Sequence, residues 1–353
     1  MSRPSGILTA LLAAVLFGLS APFAKLLLRD ASPQLLAGLL YAGSGLGLFV
    51  VWLFRRTRHS ATEAPLTRAD MPWLAGAIAA GGVAGPLLLM TGLVRTPASA
   101  ASLLLNLEGV FTALLAWFVF RENFDRRIAV GMAAILAGGA VLSWEGRLAW
   151  GGATGPLLVA AACLAWAVDN NLTQKVSAGD PVQIAMIKGL VAGAVNTGIA
   201  LALGAHLSGG ARVLGAMLLG FLSYGVSLVL FVLALRQLGT ARTGAYFSTA
   251  PFVGAVVSLA VFRERPTVAL VAAAALMGLG VWLHLTEQHE HEHHHDAIEH
   301  EHAHVHDTHH QHAHGPGDPA VMDPVPHSHR HHHTSMVHTH AHYPDLHHRH
   351  GHD

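Results

Sequence analysis

The chain has 353 residues, of which 52% are hydrophobic, 12% are charged and 28 are histidine, with a formal net charge of zero. A single cysteine, Cys163, excludes a disulfide framework and a cysteine-based zinc site. No G-x-x-x-x-G-K-S/T run occurs, which excludes a phosphate-binding loop for ATP coupling within the chain.

The neutral total hides an asymmetry. Residues 1–285 carry 19 Lys/Arg against 10 Asp/Glu, a net +9, and residues 286–353 carry 2 against 11, a net −9. Within the basic part, apolar stretches of about 20 residues, the length that crosses a bilayer, recur along the chain. They predict helices near 6–28, 34–54, 73–93, 97–119 and 127–144. A second set follows near 155–174, 182–204, 213–235, 241–262 and 266–285. The first stretch is too long, and too closely followed by others, for a cleaved signal peptide. Glycines such as Gly43, Gly45, Gly47, Gly81, Gly82 and Gly85 predict close approach of neighbouring helices. Trp73, Trp144, Trp150 and Trp282 fall near span ends, as interfacial belts do, whereas Trp117 and Trp166 lie deeper, where packing is the default.

The connections are short, and their positive charges predict an orientation. With the N-terminus inside, the cytoplasmic segments carry Arg3, Arg55, Arg56, Arg58, Arg68, Arg121, Arg126, Arg127, Lys175, Arg236 and Arg242. The opposite side carries Arg29, Arg95, Arg147, Arg212, Arg263 and Arg265. Eleven against six favours both termini in the cytoplasm.

The ten spans divide into five and five. Phe120-Arg121-Glu122 closes the fourth and Phe262-Arg263-Glu264 the ninth, an offset of 142, while Lys25 and Lys175 end the first and sixth, an offset of 150. The longer loop after the second span accounts for the difference. An odd number of spans per repeat turns the second repeat upside down relative to the first, an arrangement that carriers use with the solute site at the repeat interface.

The repeat with an aromatic and then a lysine in its first helix (Phe17 to Lys25; Trp166 to Lys175), the Arg-Glu pairs, and Ala250-Pro251 inside the ninth span resemble the EamA repeats of the drug/metabolite transporter superfamily. The first half departs from this pattern, with Glu108-Gly109 where the second half has Ala250-Pro251. The resemblance implies an all-α membrane protein of ten transmembrane helices in two inverted five-helix repeats, 1–145 and 146–285, followed by a disordered tail, 286–353. With its histidine-rich end, the whole chain is similar to the nickel-resistance permeases of bacterial cobalt–nickel efflux systems. That similarity implies a multi-pass protein of the bacterial inner (plasma) membrane, not an enzyme. Its partners would be the lipid bilayer, divalent metal ions, a second copy in a homodimer and a separate metal-efflux system, with no nucleic acid.

Ionisable residues inside a span are costly and are candidates for function. Lys25, Glu108, Asp169 and Lys188 qualify, and Glu108 and Asp169 are the only acidic residues well inside the membrane. Asn106 precedes Glu108 by two positions, and Asp169-Asn170-Asn171 is a polar triplet closing an apolar run. Oxygen ligands from these residues suit a divalent cation in transit, and a carboxylate that exchanges a proton for that cation is the minimum requirement for antiport. The blander readings are a helix-end carboxylate paired with Lys175 or Lys188 for Asp169, and an ion pair with Lys25 for Glu108. For Lys25 and Lys188 the alternative is snorkelling to the interface, and for Asn106 and Asn196 interhelical hydrogen bonding. Arg121-Glu122 and Arg263-Glu264 read as loop and helix-end structure.

The tail holds 25 of the 28 histidines. They are His289, His291, His293, His294, His295, His300, His302, His304, His306, His309, His310, His312 and His314, followed by His327, His329, His331, His332, His333, His338, His340, His342, His347, His348, His350 and His352. Neutral imidazoles at alternate or adjacent positions bind nickel, cobalt, zinc or copper(II) without needing a fold, and the tail has too little to bury to order itself. Met322 and Met336 are its only methionines, which argues against copper(I). No cofactor is required beyond divalent metal held by the tail. The leading expectation is a secondary carrier exporting nickel, with cobalt beside it, by proton antiport. The alternative is an exporter of an amino acid or other metabolite whose tail only buffers or senses metal.

Overall fold

In hydrocarbon, a helix satisfies every backbone group within its own segment, so long runs of Leu, Ala, Val and Gly fold as helices there. The computed structural model describes residues 3–29, 31–57, 66–120, 126–143, 154–176, 179–206, 209–238, 243, 246–285 and, within the tail, 290–295, 298–304, 327–333 and 336–341. Among these residues seven helical segments are long and apolar enough to cross a membrane: Gly6–Leu27, Pro33–Arg56, Arg68–Val94, Ala98–Leu115, Thr154–Thr173, Pro181–Ala202 and Gly210–Ala234. Three shorter apolar helices, Ala129–Leu142, Ala250–Phe262 and Val268–Leu283, complete the ten expected spans. We number them one to ten in chain order. Span three begins earlier than its apolar run because the Asp70 carboxylate accepts hydrogen bonds from the Thr67 N–H and hydroxyl at 2.8 Å each, fixing a helical start.

Several spans are not the continuous helices that their hydropathy predicts. Span four is two helices, Ala98–Leu104 and Leu107–Phe120, separated at Leu105 and Asn106. In span nine the regular helix starts at Ala250, with Pro251 in its first turn, where its missing N–H leaves no bond unmade. The two breaks correspond under the 142-residue offset. Spans three and eight each contain a π-helical segment, Ile78–Ala84 and Phe221–Val226, at matching places in the two repeats. Irregularities that recur at equivalent positions are properties of the repeat.

Packing follows an approximate two-fold relation. Span two packs on its counterpart span seven, and span five on span ten. Span one packs on spans eight and nine, as span six packs on spans three and four. Gly45 and Gly189 permit the close approach of spans two and seven, for a Cβ on Gly45 would overlap the backbone of Leu190.

Four tail segments pair as antiparallel strands. β1 (Glu290–His295) joins β4 (Met336–Ala341), and β2 (Ile298–His304) joins β3 (His327–His333). The composition implied no fixed structure. The pairing is a backbone ladder, which needs only N–H and C=O groups and no apolar core.

Candidate functional site

Spans four, six and seven bring most of the candidate residues together. Glu108 lies in the first turn after the break in span four, ten residues from Ala98, about 15 Å along the helix and near the middle of a bilayer core. Asn170 of span six donates from Nδ2 to Glu108 Oε1 at 2.8 Å and lies 3.4 Å from the hydroxyl of Thr112, one turn beyond Glu108. Glu108 is partly exposed and Asn170 exposed. Among the described residues no lysine or arginine forms an ion pair with Glu108.

Asp169 points elsewhere. Successive helical residues differ by about 100° in direction, and Asp169 turns toward spans seven and three. Its Oδ1 accepts from Lys188 Nζ at 2.6 Å and from Thr173 Oγ1 at 2.8 Å, and Lys188 Nζ also donates to Thr173 Oγ1 at 3.1 Å. Asp169 and Lys188 are each only 6% exposed, so neither reaches the interface. Gly81 makes room for the pair, since a Cβ there would strike the Asp169 carboxylate. The snorkelling expected as one reading of Lys188 is replaced by a buried ion pair. Asn171 donates to the carbonyl oxygens of Ala167 at 2.8 Å and Thr112 at 3.5 Å, tying span six to itself and to span four.

Two carbonyl oxygens of the π-helical turn in span three accept side-chain hydrogen bonds from neighbouring spans, four and five residues before Pro86, which has no N–H to offer them. Gly81 O accepts from Tyr41 OH at 2.8 Å and Trp166 Nε1 at 2.9 Å, and Gly82 O accepts from Asn196 Nδ2 at 2.8 Å. Trp166 thus carries a polar tie as well as packing. Its ring meets Phe17 at a centroid distance of 6.2 Å, and Phe17 lies 6.0 Å from Tyr224 and 5.3 Å from Phe247. Tyr41 and Tyr224 are 5.3 Å apart. These rings, drawn from both repeats, line the place where the halves cross.

Two candidates lie apart from this array. Asn106 is buried and donates to Leu103 O at 3.0 Å within its own span. Lys25 donates to the Thr96 carbonyl beyond the end of span three, whereas Asp169 lies beside Gly81 in the middle of that span, so Lys25 is not the counter-ion of Glu108. At the same end the Glu264 carboxylate accepts from the N–H groups of Ala98 and Ser99 at 3.1 and 3.3 Å, and from the Ser99 hydroxyl, capping span four. Arg55 and Asp180 pair at 3.3 Å at the other end.

Residues 121–125 lie outside the described residues, as do His289, His306, His309, His310, His312, His314, His342, His347, His348, His350 and His352. The other fourteen tail histidines fall on the four strands. Among the described residues no group of three or more His, Cys, Asp or Glu is placed to hold a metal ion. Sequence reasoning missed Thr112 and Thr173, although each stands four residues after a carboxylate and therefore on the same helix face.

A model of the EamA-like transporter family matches residues 4–144 and again 153–286. A protein of Methanothermobacter thermautotrophicus, described as an uncharacterized transporter, is 30% identical over 297 residues, covering 80% of this chain and 87% of its own. A solved crystal structure is similar in fold, with a TM-score of 0.61 at 20% identity, covering 80% of this chain and 96% of that one.

Proposed function

The chain belongs to the EamA-like transporter family, and we propose that it exports divalent nickel, with cobalt as a second cargo, from the cytoplasm in exchange for protons. The observation that carries this reading is the tail, 25 histidines attached directly to the last span of a two-repeat carrier. The positive-inside bias supports a cytoplasmic tail and cytoplasmic termini, and the similarity to bacterial efflux permeases supports the inner membrane as the location. Many weak sites tethered there raise the metal concentration at the inner mouth. The tail serves as a collector, and the outcome for the cell is metal resistance.

Glu108 is the group we assign to the exchange. It is a carboxyl group within span four, has an amide donor and no cationic partner among the described residues, and is partly exposed. A carboxylate so placed takes either a proton or a cation, and an exchange of one for the other across the two-fold arrangement is antiport. Asn170 and Thr112 offer additional oxygens beside it. Asp169, already neutralised by Lys188, is assigned no direct part in holding the cargo.

A second reading rests on the aromatic rings of Phe17, Tyr41, Trp166, Tyr224 and Phe247 at the repeat crossing, together with the lack of a three-ligand metal group among the described residues. Such a lining suits an organic metabolite, with the tail as a buffer. Uptake of nickel, cobalt and zinc into inverted vesicles, with and without a pH gradient, separates the readings. Gradient-dependent accumulation of nickel, lost in Glu108→Gln, is the expected result. Accumulation indifferent to the gradient removes antiport, and no accumulation of any metal favours the metabolite carrier.

A further inference from the structure

As a sequence the tail offers 25 equivalent histidines, but the two ladders sort them. In β2–β3 the register sets His300 opposite His331, His302 opposite His329 and His304 opposite His327. In β1–β4 it sets His291 opposite His340 and His293 opposite His338. Ten of the fourteen strand histidines thus have a histidine as register partner. The exceptions, His294, His295, His332 and His333, are partnered by Val337, Met336, Glu299 and Ile298. Residues two apart in a strand share a face, so the three His–His rungs of β2–β3 lie on one face and Glu299 and Glu301 lie on the other. Glu301 stands opposite Arg330, an opposite-charge pair that favours this register over its neighbours.

Directly opposed residues have Cα atoms about 4.5–5.5 Å apart, a separation that lets two imidazoles share one ion. The His face of the ladder offers nitrogen and no carboxylate, the donor set of nickel, cobalt, zinc and copper(II) and not of magnesium or calcium. Among the described residues no three-ligand group is preformed, so each rung supplies two nitrogens and water completes the shell. A two-stranded ladder is marginal in water by itself, and Ile298 and Ala303 are the only apolar residues of these two strands. An ion that joins the strands binds the paired form and not the open chain, and it stabilises the pairing by that difference.

We propose that β2 and β3 form a metal-locked ladder whose sites are the rungs His300–His331, His302–His329 and His304–His327, so that a borderline divalent cation closes this part of the tail as it binds. The proposal rests on the reading of the tail as a metal collector and adds to it particular sites and a change of shape on loading.

The test uses the purified full-length chain in detergent, with nitroxide labels on Ala303→Cys and Ser328→Cys. These positions are register partners on the face away from the His–His rungs, and Cys163, being buried, stays in place as an unlabelled thiol. Zinc is the probe because it is diamagnetic. With a chelator present the labels should give the spectrum of separated spins, and zinc should add the dipolar broadening of adjacent ones. His300→Gln, His302→Gln and His304→Gln together should raise the zinc concentration at half closure about tenfold or more, since the second imidazole of each rung is lost with its effective concentration. His294→Gln, His295→Gln and His332→Gln together remove as many imidazoles from positions with no histidine opposite. They should lower the amount of zinc bound and leave the midpoint of closure within about twofold of the parent. Equal shifts in the two triple variants would make the histidines interchangeable and overturn the proposal. Broadening complete in chelator, or produced by magnesium as readily as by zinc, overturns it as well. Zinc bound without broadening overturns the lock and leaves the collector, whereas no zinc bound removes both. Closure in the expected order, with nickel resistance unaffected by loss of 286–353, refutes the collector and leaves the lock standing.

Discussion

Gly81 and Asp169 constrain each other. The Gly81 carbonyl accepts from Tyr41 and Trp166, and the missing Cβ leaves space for the Asp169 carboxylate. A methyl group at this position strikes a side chain that is itself pinned by Lys188 and Thr173. Gly81→Ala should therefore destabilise the protein by about 1–3 kcal/mol, the usual range for overpacking, read as a lower melting temperature in detergent. Gly109→Ala, where nothing lies within reach of an added Cβ, is the matched control and should melt close to the parent. The polar triplet Asp169-Asn170-Asn171 was conspicuous in the sequence, but its three directions were not. Which neighbour each residue meets depends on where spans three, four and seven stand around span six, and no local signal encodes that. The same limit applied to Lys25, whose partner is a backbone carbonyl from a loop 71 positions away.

At the scale of elements, hydropathy located the spans closely except for the start of the ninth, expected at 241 and found at Ala250, because the bilayer sets both their length and their composition. It did not locate the interruptions. Pro251 explains the start of the regular helix in span nine, whereas the break at Leu105 and Asn106 has no proline and the π-helical turns lie in ordinary Gly-containing sequence. The Arg-Glu pair after span nine was read as helix-end structure, and Glu264 does cap a helix, although the helix is that of span four, 165 residues away. Its carboxylate satisfies the first N–H groups of span four and ties the loop between spans nine and ten to the other repeat. Replacing Glu264 by Gln keeps the shape and removes the charge from these hydrogen bonds. Glutamine still offers one acceptor, so the expected cost is that of the lost charge assistance, about 1 kcal/mol, read as a lower melting temperature. A melting temperature equal to that of the parent would mean that the cap contributes nothing to holding this end together.

The whole molecule joins a basic, apolar body to an acidic, histidine-rich tail, and the two parts have different requirements. The body matches its family over both repeats without the tail, since the second match ends at residue 286. Among the described residues, its spans pack mainly on one another. Removing 286–353 should therefore leave the melting temperature of the body unchanged in the absence of metal, as measured on the purified truncated chain. The same truncation should remove most nickel binding at equilibrium, because the described part of the body holds no three-ligand group. In cells it should weaken nickel resistance severalfold without abolishing it. A tethered collector changes how often the inner mouth meets an ion, an effect of local concentration that higher external metal replaces, while the step across the membrane stays with Glu108. A truncated chain that confers more resistance than the parent would reverse this assignment and make the tail an inhibitor. One that confers none at any metal concentration would make the tail part of the transport path itself.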